Sequence, residues 1–300
     1  MSRAQIGALP DGRRHFHDGP IDLVLEASGA PDEVAAAYAA AAARFSTVLD
    51  ELCAELPLLR APSTPASRRP EGVVAARMAS AVSCFHAERF VTPMAAVAGA
   101  VAEEVLEAMT EAAELSRAFV NNGGDIALHL TPGAAFAIGL VARPDRPALF
   151  GRASLTGADV ARGIATSGWR GRSFSLGIAD AVTVIAAKAS IADAAATLIA
   201  NAVDLPGHSA VTRAPASSRD PRSDLGERLV TLDVGALTRS EIALALKRGA
   251  EEAEHWRRRG AIEAAALSLA GEVRLVGAGP SLYKRGDAAP PTMKALHAVG

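Results

Sequence analysis

Three short stretches of the chain carry residue types that hold an anion or a hard cation. Asn121-Asn122-Gly123-Gly124-Asp125 sets two glycines directly before a fixed carboxylate at Asp125. Glycine reaches backbone conformations closed to other residues and lets a ligand approach the main chain. Ala165-Thr166-Ser167-Gly168 puts small hydroxyl side chains beside a glycine whose backbone N–H can face an anion. Ser190 to Thr197 places Asp193 four residues before Thr197, so a helix there presents a carboxylate and a hydroxyl on one face. Mg²⁺ takes oxygen ligands and keeps waters, so a carboxylate, a hydroxyl, a main-chain carbonyl and a phosphate oxygen form a sensible set. Each stretch also has a plain structural alternative. Asn121 to Asp125 suits a hairpin turn, Thr166 to Gly168 a Ser/Thr turn between Ile164 and Trp169, and Ser190 with Asp193 the capped start of a helix.

The elements that must position these residues follow from the pattern. Gly19 to Glu26 alternates as an early strand, and Pro31-Asp32-Glu33 opens an alanine-rich helix over Asp32 to Glu55, stopped by Pro57. Arg60 to Gly72, rich in Pro, Ser and Arg, reads as a flexible connector. Helical composition covers Val73 to Phe85 and Val91 to Met109, interrupted at Thr92-Pro93. Arg117 to Val120 and Ile126 to Leu130 read as strands around the Asn-Asn-Gly-Gly-Asp turn, with Ala134 to Val141 as a further strand. The strand Ala181 to Ala187 precedes a helix over Ile191 to Val203, ended by Pro206 and Gly207. After a second polar loop at Ala214 to Glu227 come a strand (Arg228 to Val234), a charged amphipathic helix (Arg239 to Arg259) and a strand-rich ending (Glu263 to Val276). Mixed order without a repeat gives an α+β, or mixed α/β, single domain over the 300 residues.

Bulk properties exclude several classes. With 31 Lys and Arg against 33 Asp and Glu there is no broad basic field for nucleic acid. No apolar run reaches membrane-span length, and Arg3 and Asp11 to Arg14 interrupt any secretory core, so a cytoplasmic, reducing location is expected. Cys53 and Cys84 are read as buried free thiols. The seven histidines show no metal-binding spacing, and His129 is read as a packed strand residue. Gly277-Ala278-Gly279 lacks the third glycine and the helix of a dinucleotide fingerprint.

Taken in order, the three stretches resemble the ApbE-like superfamily, known for FAD:protein FMN transferases formerly linked to thiamine biosynthesis. Phe119 to Ile126 resembles its Asn-x-Gly-Gly-Asp turn and Gly163 to Gly168 its Ala-Thr-Ser-Gly turn. Val182 to Ala186 with Ala192-Asp193-Ala194 and Thr197 resembles the strand and helix that bring magnesium to the site. The resemblance implies an ApbE-like fold of mixed sheets flanked by helices, best matched over 93–203. It implies Mg²⁺ held by Asp193, Thr197 and a carbonyl at Ala100 or a neighbour. It further implies FAD, FMN or another phosphorylated small molecule framed by Asn121, Gly123, Gly124, Asp125, Ala165, Thr166, Ser167 and Gly168.

The chain departs from that pattern in two places. Ala98 to Glu103 matches a Gly-Ala-Ile-Ala-Lys-Gly run loosely, with Glu103 in place of lysine, which reverses a charge near the expected diphosphate. Between Gly168 and Ala181 the family's His-x-x-Asp-Pro-x-Thr-Gly segment is replaced by Arg172 to Asp180, leaving Asp180, with Asp125, as acid–base candidates. The expected protein is an ApbE-like, flavin- or nucleotide-diphosphate- and Mg²⁺-binding member of a cytoplasmic branch, possible as a homo-oligomer. An active FMN transferase, a flavin binder without catalysis and a ligand-free scaffold built on Arg239 to Arg259 are the alternatives.

Overall fold

The computed structural model describes residues 3–141, 149–277, 282–284 and 295–297. In chain order the elements are β1 (Gln5–Ala8), β2 (Arg14–Asp18), β3 (Ile21–Gly29), α1 (Pro31–Ala54), α2 (Leu56–Leu59), α3 (Val73–Val82) and a 3-10 turn at Pro93–Ala96. Then come α4 (Val97–Ala112), β4 (Leu115–Asn122), β5 (Asp125–Leu130), β6 (Ala135–Val141), β7 (Leu149–Thr156), β8 (Gly163–Ser167), β9 (Ala181–Ala186) and α5 (Ala189–Ala202). The rest is β10 (Val211–Pro215), α6 (Ala216–Arg219), β11 (Leu229–Val234), α7 (Arg239–Arg258), β12 (Ala264–Leu269), β13 (Glu272–Val276), β14 (Leu282–Lys284) and β15 (Ala295–His297).

A nine-stranded sheet of order β1-β2-β3-β4-β5-β8-β9-β12-β13 forms the middle layer, and each of its strand pairings is antiparallel. Because strand side chains alternate between faces, consecutive residues enter two different cores. Val120, Ala165, Val184 and Leu267 point into the core shared with α1, α3, α4, α5 and α7. Phe119, Ile164, Ile185 and Ala266 point the other way, onto Phe136, Ile138 and Leu155 of the β14-β7-β6-β15 sheet. Burial on both faces explains why every residue of β9 and β12 is buried and why both read as continuous apolar runs. The fold is α+β, as the mixed order of elements implied.

Local chemistry accounts for the helices. α1 starts with proline and acidic residues in its first turn and buries Tyr38, Ala41, Phe45, Val48 and Leu52, spaced three or four residues apart along one stripe, with Ala37 beside them. α7 opens with a full capping box between Thr238 and Glu241. Its apolar face, with Ile242, Leu246 and the fully buried Trp256, packs into the core, and the Trp256 indole donates to Glu252 at 2.8 Å.

Several expectations need correcting. The thiols of Cys53 and Cys84 are exposed: Cys53 lies off the buried stripe of α1, and Cys84 lies in the turn after α3. The stretch expected as a polar loop from Ala214 to Glu227 begins with the end of β10 and contains α6. The hairpin β1–β2 carries little sequence signal, because its strands are short and all of β1 is exposed. Residues 60–72 contain neither helix nor strand beyond α2, and of Gly277-Ala278-Gly279 only Gly277 lies within the described residues. Among the described residues, no helix is long and apolar enough to cross a membrane.

Candidate functional site

The site is built where the β4–β5 hairpin, the end of β8 and the starts of α4 and α5 meet. Gly123 and Gly124 have φ of +63° and +109°, the left-handed region at both central positions of a two-residue hairpin turn. Asn121 tightens that turn by accepting a hydrogen bond from the Gly124 N–H at 2.8 Å. Asp125 follows as the first residue of β5, only 9% exposed, and its Oδ1 accepts from the Thr166 N–H at 3.2 Å.

Thr166 stands in a strand, not in the expected turn. β8 runs from Gly163 to Ser167 and pairs with both β5 and β9, so its hydroxyl residues lie on a sheet and Ala165 is fully buried against the helices. The Thr166 hydroxyl bonds that of Thr183 at 2.8 Å. The turn comes after it, from Gly168 to Gly171, and a Cβ at Gly168 would lie 2.5 Å from the Asp180 carbonyl oxygen. Asp180 is tied down at both oxygens, Oδ1 by the Arg170 guanidinium at 2.6 Å and Oδ2 by the Ala270 N–H at 2.6 Å. It lines the cleft as a brace for the turn.

Helices α4 and α5 cross with their backbones in contact at Gly99, where any Cβ would overlap the Ala189 carbonyl. Each helix supplies the other's first turn with an acceptor. Asp193 Oδ2 accepts from the Gly99 N–H at 3.0 Å, and Glu103 Oε1 accepts from the Ser190 N–H at 2.7 Å and its hydroxyl at 2.9 Å. Asp193 therefore does not cap its own helix, whose N-cap is Lys188. Glu103 also pairs with Arg77 at 3.2 Å and does not line the cleft, so the replaced lysine is a matter of helix packing. Glu103→Lys is expected to cost about 3 kcal/mol, since it removes the acceptor for α5 and leaves two cations facing each other at a largely buried position. A chemical denaturation midpoint within error of the parent would refute this.

Ala100 is fully buried within α4, whereas Ala98 lines the cleft, and its carbonyl accepts from Asn122 Nδ2 at 3.2 Å. The cleft has two lobes. The smaller, of about 110 Å³, is bounded by Gly123, Thr166, Ser167, Gly168 and Asp180. The larger, of about 390 Å³, runs between Phe90, Met94 and Leu198 to Arg60 and the Asp220–Leu225 loop, which Asp224 ties to Thr92 at 2.5 Å. Ala98, Asp125, Arg172, Asp193 and Thr197 line both lobes.

Two carboxylates thus share the floor of one cleft. Burial, and then the charge of Asp193, hold the Asp125 carboxyl well above the usual carboxylate range, while the Thr166 N–H and Arg172 pull it down. Burial pushes Asp193 up to about 7, against hydrogen bonds from the Gly99 and Ala98 amides, and Glu103 adds to the rise. The Thr197 hydroxyl, one helical turn from Asp193, has no hydrogen-bond partner among the described residues. No group of three or more His, Cys, Asp or Glu residues converges as a metal cluster among the described residues.

A family profile described as AbpE bacteria matches residues 6–275. The chain belongs to that family. The AbpE bacteria match agrees with the resemblance carried by the Asn-Asn-Gly-Gly-Asp and Ala-Thr-Ser-Gly motifs. Similar curated proteins are the UPF0280 protein MK0206 of Methanopyrus kandleri, 41% identical over 144 residues (47% of this chain, 56% of the relative), and a UPF0280 protein of Methanothrix thermoacetophila, 38% identical over 173 residues (52% and 64%). The chain spans between half and two thirds of the length of these two relatives. The apo crystal structure of the Pseudomonas stutzeri flavinyl transferase ApbE superposes with a TM-score of 0.46 at 13% identity, covering 92% of this chain and 97% of that one.

Proposed function

We propose that this member of the AbpE bacteria family binds a flavin or nucleotide diphosphate together with Mg²⁺ in the two-lobed cleft. The observation that carries the reading is the pair of buried carboxylates, Asp125 and Asp193, at the junction of the lobes with an arginine beside them. Two like charges in a low-dielectric cleft raise each other's proton affinity, and a divalent cation would relieve that repulsion. The donor types fit Mg²⁺: the Asp193 carboxylate, the Thr197 hydroxyl, without a partner among the described residues, and the Ala98 carbonyl are all oxygen ligands. Bound there, Mg²⁺ would neutralise charge on phosphate oxygens.

The protein's own groups divide the remaining work. The backbone of the Gly123-Gly124 turn and of Ser167-Gly168 frames the ligand from two sides of the smaller lobe. Asp125, once deprotonated, can accept a proton at its carboxylate, whereas Asp180 is committed to Arg170 and Ala270. The apolar stretch of the larger lobe, with Phe90, Met94 and Leu198, suits a planar ring system. This makes ligand binding the primary claim, with any chemistry directed at a phosphoanhydride.

The test is thermal. Saturating Mg²⁺ with FAD, FMN or ADP is expected to raise the melting midpoint by roughly 4–8 °C, more than the sum of metal and ligand added separately. A midpoint unmoved by millimolar Mg²⁺ with each of these ligands would overturn the reading.

A further inference from the structure

The residue that the cleft holds in reserve is Arg172. It lies in the segment between Gly168 and β9, lines both lobes, and among the described residues makes no hydrogen bond or ion pair. This sets it apart from the neighbouring Arg170, whose guanidinium is bound to Asp180 and stacked 4.2 Å from the Trp169 ring centroid. Its position is also built for. The guanidinium rests on Gly123, where a Cβ would overlap Nη2, so a side chain there would push Arg172 out of this seat. The main chain of that turn has φ of +63° at Gly123, which disfavours an L side chain for an independent reason.

This guanidinium stands beside a carboxylate, is exposed at the mouth of the cleft and has no protein partner among the described residues, so its donors are free for a ligand. Its five N–H groups are arranged as a planar fork that matches two oxygens of a phosphate. Asp125 lies near enough to interact electrostatically with it, but Asp125 Oδ1 is already engaged by the Thr166 N–H. The geometry points to Arg172 as the phosphate-recognising residue of the cleft, seated on Gly123 and selecting ligands that carry a phosphoryl group over their unphosphorylated counterparts. This rests on the proposed ligand site and adds the residue that sets its specificity. In the ligand-free protein Arg172 partly offsets the Asp125 charge. When a cation takes over that task, the guanidinium is released to the phosphate, so metal and phosphate should favour each other's binding.

The experiment uses the full chain, with inorganic pyrophosphate, FMN and riboflavin as probes, each titrated with and without Mg²⁺. Arg172→Gln is expected to weaken pyrophosphate and FMN by roughly tenfold to a hundredfold while leaving riboflavin unchanged, the scale of a lost charge-assisted pair. Arg172→Lys should recover part of that loss, because it restores the charge without the fork. Equal losses for FMN and riboflavin in Arg172→Gln, or no loss for either phosphorylated probe, would overturn the inference. The two claims separate cleanly. Pyrophosphate binding that depends on Arg172 without any flavin binding would support the residue's role and remove the flavin; flavin binding indifferent to Arg172 would do the reverse. A parent protein that binds none of the three removes both.

Discussion

Replacing Gly99 with valine is expected to cost on the order of 4 kcal/mol or more and to dismantle the cleft along with the fold. At this crossing the neighbour is backbone, the Ala189 carbonyl and the Ser190 N–H, and backbone cannot rotate out of the way as a side chain can. Relief requires moving α4 away from α5, which separates Ala98 from Asp193 and Thr197 and stretches the Gly99–Asp193 hydrogen bond. Urea unfolding followed by far-ultraviolet circular dichroism measures the loss. Gly7→Ala is the control, since a Cβ on that exposed strand meets its nearest atom at 3.9 Å, and it should stay within about 0.5 kcal/mol of the parent. A Gly99→Val midpoint close to that of the control would show that the helices do not cross as described.

The second large effect is a pH dependence set by Asp193. Its folded pKa of about 7 lies above the ordinary value of 3.8, so the folded state holds the proton more tightly than the unfolded chain does. Stability from this group is fully present below pH 3.8 and declines as pH rises through about 7. The metal-free protein is therefore expected to be less stable at pH 8 than at pH 5, by on the order of a few kcal/mol. Asp125, also held above the ordinary carboxylate range by burial and by Asp193, adds to the same decline, whereas Glu241 and Glu254, held down to about 2 by their hydrogen bonds to His208 and to Arg257 and Arg258, act only at more acid pH. Asp193→Asn should make the profile shallower, leaving only the contribution of Asp125, and also remove Mg²⁺-dependent ligand binding, because the amide keeps an acceptor for the Gly99 N–H but carries no charge. If the parent is equally stable at both pH values, or if the Asn variant keeps the slope, Asp193 does not carry this burden.

Much of the fold could be read from local pattern. The Asn-Asn-Gly-Gly-Asp turn was legible because two positive φ angles in succession demand glycine, and short apolar stretches, Ala118 to Val120 and Ile126 to Leu128, stand on either side. The helices α1, α5 and α7 announced themselves through spacing and end signals. What stayed hidden depends on distant partners. Thr166 and Ser167 have turn-forming side chains, and only the sheet neighbours β5 and β9 turn them into a strand. Glu103 looked misplaced until Ser190 and Arg77 appeared beside it. That Ala98 lines the cleft while Ala100 is buried, a difference of about half a helical turn, depends on the crossing partner. Arg172 gave no signal of its own, because its meaning lies in the glycine across from it.

The exchange of acceptors between α4 and α5 also bears on the order of events in folding. Neither helix can complete its first turn alone, since one needs Asp193 and the other Glu103, and these lie far apart along the chain. Closing so long a loop is slow compared with forming a local hairpin such as β4–β5. The turn that carries Gly123 and Asp125 should therefore form early and the opposite wall of the cleft late. Substitutions at Glu103 and Ser190 would then speed unfolding and leave the refolding rate almost untouched.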